Sequence, residues 1–380
     1  MTTDHYRENP LRAIHVLGII TPDLLGRLTP QITRLRADPV APITVYIDSP
    51  GGSTQVLDSL ERLLRAPDQN ENTRLLTTAV TNRAASAAAD LLIAGDYAIA
   101  FPGAIIHYHG TRTSADGLTV EDAQLMAGHL RYANERFALR LAQRIISRLL
   151  FLLTAHRSEI DENPGHVRLD SPVAVLVELL QRRLSKISPD FAEWVKAARD
   201  YQNETGGLVR ELIETVFPTT ESAPVEPRRH VEARLAKALL DLELKRKSLP
   251  DDWTLSDGGW EEFQRHFFQV IDFIDGEHRR YQSLLLSTYG SMLLTKDELA
   301  EYRTMETEPE KASPWLKEKA GDRMSNFWYF VVCLCRRLQT GENEMSAEAA
   351  YWLGLVDEVL GSGLPCMRQV IESRRPSSSS

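Results

Sequence analysis

The first 110 residues alternate between two hydrophobic rhythms. Ala13–Ile20 (AIHVLGII) is almost continuously apolar and predicts a buried strand. Ile43–Ile47 (ITVYI), Leu75–Val80, Tyr97–Phe101 and Ala104–Tyr108 predict four more. Between them the period lengthens. Pro22–Arg36 carries leucine and isoleucine at helical spacing and stops at Asp38-Pro39. Thr54–Leu64 predicts a short helix closed by Pro67, and Ala84–Ala94 an Ala/Leu-rich helix ended by Gly95. Strands and helices in strict alternation imply an α/β layer fold. Thr119, with Asp122 three residues on, forms a capping box that opens a long helix running to about Leu153.

The pattern then changes. Residues 154–280 show Leu with Glu and Arg at helical spacing and few strand-like runs, broken by the linker-like PTTESAPVEPRR at 218–229. Leu284–Tyr302 and Trp328–Leu338 predict helices, and Ser346–Leu360 a helix, a turn and a strand. The tail ends in Arg375-Pro376 and four serines, which predicts disorder. The expected division is a core at 1–150, an α-helical insertion at 151–280, a closing part of the core at 281–365 and a disordered tail at 366–380.

Composition narrows the classes. The 380 residues are 43% hydrophobic and 26% charged, ordinary for a globular protein, and the net charge of −9 disfavours nucleic acid and anionic membranes as partners. The most apolar stretch, Ile145–Leu153, is interrupted by Ser147 and Arg148 and falls short of a bilayer span. The N-terminus lacks the basic start of a secretory signal. Three cysteines, Cys333, Cys335 and Cys366, make no disulfide framework, and a reducing cytoplasm is expected.

Three features could carry chemistry. Ser49-Pro50-Gly51-Gly52 joins a strand to a helix, where two glycines permit a tight turn and leave amides free for an oxyanion or an extended peptide; alone it is an ordinary turn. Asn82-Arg83-Ala84-Ala85-Ser86-Ala87-Ala88 sets a serine among small residues at the mouth of a helix, where developing negative charge is favoured; the plainer reading is an N-cap. His107 ends a strand and is by itself a core histidine. His107 and His109 share a face, but no Cys, Glu or third His stands at ligand spacing, so neither a metal nor another cofactor is expected.

The order strand, SPGG, helix, strand, AAS, helix, LL-x-AGD, strand, I-I-H resembles the Clp protease proteolytic subunit over residues 12–150. The resemblance resumes at Met345-Ser346-Ala347-Glu348-Ala349 and Gly354-Leu355-Val356-Asp357, with a fainter likeness at 287–299. It implies a Clp-protease/crotonase-like α/β core, a βα-repeat spiral interrupted by the helical insertion. It also implies a serine peptidase with Ser86 as nucleophile, His107 as general base, and the Gly52 and Ala87 amides as oxyanion hole. Gly51 and Gly52 would hold the substrate backbone in strand register. Matching the closing motif places Glu342 where the family has aspartate, with Asn343 adjacent; a loop charge at Glu342 is the alternative.

Related enzymes of this fold use a Ser–Lys dyad or coenzyme A. The first lysine is Lys186, inside the insertion, and a coenzyme-A enzyme would leave Ser86 and His107 idle. Three departures from the family stand out. The short segment before the first strand speaks against an ATP-driven unfoldase partner. Asn82 and Ala88 replace glycines flanking the nucleophile motif. The insertion follows the helix that stacks rings in the family, and is expected to block or replace that stacking. The expected function is therefore a homo-oligomeric serine peptidase acting on peptides or unfolded proteins, with a catalytically inactive scaffold or regulatory subunit as the alternative.

Overall fold

The computed structural model describes residues 7–37, 42–67, 74–113, 119–156, 172–199, 283, 285–287 and 289–368. Contacts divide the chain into two compact units, Met1–Lys196 with Arg280–Ser380, and Ala197–Arg279. The predicted linker at 218–229, the tail beyond 368 and most of the expected insertion lie outside the described residues.

The expected alternation builds the first unit. Strand β1 (Ala13–Leu17) leads to helix α1 (Pro22–Arg36), β2 (Ile43–Ser49) to α2 (Thr54–Arg65), and β3 (Leu76–Ala85) to α3 (Ala87–Ile93); β4 (Tyr97–Ala100) and β5 (Ile105–His109) follow. The first two helices are each capped by the residue before them: the Thr21 hydroxyl accepts from Leu24 N at 3.3 Å and the Ser53 hydroxyl from Val56 N at 3.3 Å, caps worth about 1 kcal/mol each. The long helix α4 (Val120–Ala155) opens with both halves of the Thr119/Asp122 capping box in place. Beyond it come α5 (Pro172–Ile187), α6 (189–199), α7 (Lys296–Met305), α8 (Pro309–Leu338), β6 (Glu342–Ser346), α9 (Ala347–Trp352) and β7 (Glu358–Val359).

The sheet has seven strands, mostly parallel, in the order β1-β2-β3-β4-β7. The exception to a simple path is β3. Its first half pairs with β4 through Thr77–Val80, and its last residues, Arg83–Ala85, pair in parallel with Ile105–His107 of β5. Strand β6 then adds antiparallel to β5, setting Glu344 opposite His107 and Glu342 opposite His109. Strand pairing thus holds the residues just before Ser86 in register with those that lead to His107.

Three elements depart from the sequence reading. Strand β3 continues to Ala85, so the helix begins at Ala87 rather than Ala84. Pairing with β5 overrides the helical propensity of the alanines. The single helix expected over Leu284–Tyr302 is interrupted by a 3-10 turn, Gly290–Leu293, and restarts behind a second capping box, Thr295 with Glu298. Gly290 lies so close to Leu286 and Leu316 that a Cβ there would stand 3.0–3.2 Å from their side chains. The stretch around Glu342 is a strand, which its polar composition does not announce. The helix expected over Trp328–Leu338 is the last third of α8.

The core is aliphatic on both sides of the sheet, with Ile14, Val45, Ile47, Val80, Leu92 and Ile106 fully buried. Helix α4 packs on α8, α3 and α5, and α5, within the predicted insertion, also packs on α9. A buried ion pair ties α4 to the closing motif. Arg148 Nε lies 2.9 Å from Asp357 Oδ1, whose other oxygen accepts from Ala98 N at 2.6 Å. No helix among the described residues is long and apolar enough to cross a membrane.

Candidate active site

Ser86 stands at the corner between β3 and α3 with φ 54° and ψ −127°, the one non-glycine residue with positive φ among the described residues. Such a conformation costs on the order of 1–3 kcal/mol and persists only where its surroundings hold it. The holding bonds are visible: Ser86 N donates to His107 O at 2.8 Å, while Ser86 O accepts from Ala89 N at 2.8 Å and Asp90 N at 3.2 Å. Ser86 occupies the N-cap position, yet its hydroxyl caps nothing. The plainer reading of this serine therefore does not account for the side chain.

Gly51 (φ 94°) explains the glycine pair in the SPGG turn. A Cβ on Gly51 would fall 2.5 Å from Ala85 O and 2.7 Å from Ser86 Cβ, so the turn is pressed against the Ser86 corner. Gly52 (φ 151°) forms a parallel bridge with Ile20: Ile20 N donates to Gly51 O at 2.8 Å and Ser53 N to Ile20 O at 3.0 Å. In that bridge pattern the Gly52 amide faces away from Ile20. The Ala87 amide is the first of its helix and has no carbonyl inside the helix to bond.

His107 lies on β5 in register with Ala85, its side chain 14% exposed. Nε2 is 2.9 Å from Glu342 Oε2, close enough for an ion pair but misaligned for a hydrogen bond. Nδ1 lies 3.5 Å from Arg83 Nη2. Among the described residues no hydrogen bond joins the Ser86 hydroxyl to either ring nitrogen. Burial is the largest influence on the imidazole and holds its pKa below the usual 6.5. The neighbouring His109, then Arg83, push the same way, against Glu344, and Arg112 adds a smaller push.

The acidic position resolves into distinct neighbours. Glu342, 57% exposed, sits between His107 and the guanidinium of Arg112, with which it forms an ion pair. Asn343 is buried on the other face of β6, where its Nδ2 donates to Leu338 O at 2.7 Å and Thr340 O at 2.9 Å and closes the end of α8. Asn343 is thus occupied by backbone and turned away from the imidazole. Sequence reasoning passed over Arg83 and Arg112. Arg83 is the one charged residue of the motif Asn82–Ala88, and that singularity is its signal; nothing local marks Arg112.

The structure therefore brings Ser86, His107, Gly51, Gly52, Ala87 and Glu342 to one end of the sheet. It also brings two arginines that the sequence reading did not include. Among the described residues no cluster of three His, Cys, Asp or Glu could hold a metal ion.

A comparison with protein families matches residues 9–149 to the Clp protease family. Among curated proteins none matches the chain. The family match takes in the SPGG turn, Ser86 and His107, and ends before Glu342. From residue 9 to residue 149 this chain is a Clp-protease-like segment, and the family it resembles there is one of peptidases, hydrolases of the peptide bond.

Proposed function

We propose that the protein is a serine peptidase that cleaves peptides or unfolded segments through an acyl-enzyme, in a crotonase-like spiral core interrupted by a helical insertion. Ser86 Oγ attacks the scissile carbonyl and its proton passes to His107. The oxyanion is received by the Gly52 and Ala87 amides. His107 returns the proton to the departing amine, and water then enters by the same path to release the acid and restore the hydroxyl. Glu342 orients His107 and balances the imidazolium. Gly51 and Gly52 lie where an extended substrate backbone would run. The observation that carries the reading is the strained, uncapped Ser86, bonded through its backbone amide to the residue that supplies the base.

A second reading, a non-catalytic scaffold or regulatory subunit, is favoured by one observation: the imidazole contacts Glu342 and Arg83, not Ser86. Labelling with a fluorophosphonate separates the two. The peptidase reading expects a single adduct on Ser86, lost in Ser86→Ala and lowered by ~10³-fold or more in His107→Ala. Absence of an adduct on Ser86 from pH 6 to 9, in the wild type and in variants of the residues that touch His107, would favour the scaffold. Cys333, Cys335 and Cys366 are buried thiols in no disulfide, in keeping with a reducing compartment.

A further inference from the structure

Among the described residues Arg83, half-buried, has no carboxylate partner. Its Nε is buried and makes no hydrogen bond, and its Nη2 lies 3.5 Å from the imidazole Nδ1. The neighbouring cation, Arg112, already holds Glu342. A guanidinium has donors and no acceptor. A bond from Arg83 to His107 Nδ1, 3.5 Å away, can therefore be made only to a lone pair of the ring, and requires the neutral tautomer with its proton on Nε2, the nitrogen nearest Glu342. The base that must take a proton from Ser86 is in this arrangement engaged elsewhere.

We propose that Arg83 both positions His107 and selects substrate: it holds the base off in the free protein, and a carboxylate on the peptide draws it away, so that acidic peptides are the preferred class. The inference rests on the peptidase reading. The energetics favour the exchange. A long contact to a neutral nitrogen is weak, whereas guanidinium and carboxylate form short, paired, charge-assisted bonds. Once Arg83 is withdrawn, either Nδ1 is free, or the ring can make a half-turn that brings the other nitrogen toward Ser86. The acidic group of the substrate thereby fills the vacant counter-ion position and releases the base in one event.

The test uses the full chain and fluorogenic peptide pairs that differ only in Glu against Gln, placed in turn at each position flanking the scissile bond. The wild type is expected to favour the Glu member by about tenfold in kcat/KM at one position, the difference a charged hydrogen bond makes. Arg83→Gln should erase that preference and raise the rate on the Gln peptide. Arg83→Lys should restore part of the preference. The charged groups facing His107 are Arg83 from β3, His109 and Arg112 from β5 and the segment after it, and Glu342 and Glu344 from β6. Removing Arg83 alone should also move the acid limb of the pH profile upward, because one of the cations holding the imidazole pKa down is gone; a merely structural role would lower both peptides alike and leave their ratio unchanged. Equal turnover of Glu and Gln peptides at every position in the wild type overturns the inference, whatever becomes of the variant. Fluorophosphonate labelling of the same samples tells the two failures apart. An adduct on Ser86 without acidic preference overturns the role of Arg83 alone, and no adduct in wild type or Arg83→Gln overturns the peptidase reading with it.

Discussion

At the scale of single residues, the nucleophile corner is a steric arrangement before it is a chemical one. Gly51 leaves room for Ser86, and alanine there would need both a left-handed backbone and space that Ala85 O and Ser86 Cβ occupy. Gly51→Ala is expected to lose fluorophosphonate reactivity and to lower the melting temperature together, by about 1–3 kcal/mol of stability, measured by labelling and by thermal unfolding. The pH dependence of activity follows from His107. Burial and neighbouring cations disfavour the imidazolium, so the base stays neutral as pH falls through 6.5. The acid limb of kcat/KM is expected below that value, and a limb at 7 or above would contradict the assignment of His107 as base. Glu342→Gln removes the balancing charge while keeping the shape of the side chain, and should cost about 10²-fold in kcat. Asn343, spent on the end of α8, cannot substitute for it.

Between elements, two polar contacts decide how the catalytic corner is braced. The Arg148–Asp357 pair is buried and joins the long helix α4 to the turn before β7, with Arg148 Nη2 also donating to Gly95 O at 3.3 Å. Removing one partner strands the other. Arg148→Ala is expected to destabilise by about 3–5 kcal/mol, read from chemical denaturation. Under α4, Arg140 spans to α2 through Asp58 and Glu61 at 3.3 and 2.7 Å. Asp90 of α3 lies in the same cluster, and burial, more than the neighbouring carboxylates, pushes its pKa from 3.8 up to about 7 against the pull of Arg140. The fold therefore prefers Asp90 protonated. Its contribution is complete below pH 3.8 and lost as pH rises through about 7. Asp90→Asn should raise the melting temperature at pH 8 and leave it unchanged at pH 4; an equal change at both would show that the charge is not what matters.

The whole molecule carries a net charge of −9, and β1 stands at one end of the main strand order with Leu11, Leu17 and Ile19 exposed on and beside it. Exposed apolar side chains at a sheet edge form a surface on which another chain could pack, the place to look for the homo-oligomer that the resemblance implies. The segment after α4 is expected to prevent rings from stacking face to face. Mass photometry of the full chain should therefore find no ordinary stacked pair of rings; a tetradecamer indistinguishable from a double ring would overturn that expectation.

Local patterning was enough to place five strands, the helices between them and the Thr119 capping box, but not the ends of the elements at the site: His107 lies in the middle of β5 and not at its end, and the helix starts after Ser86 and not before it. The former depend on hydrophobic period and capping, which act over a few residues and are written in consecutive positions. Pairing between distant strands is of another kind. That β3 continues to Ala85, that Glu342 rather than Asn343 meets the imidazole, and that Arg83 turns toward the base all follow from the register of β3, β5 and β6. A polar strand such as Glu342–Ser346 has no hydrophobic rhythm of its own to announce it. Its conformation is imposed by β5, and only the assembled sheet decides which of its side chains faces His107.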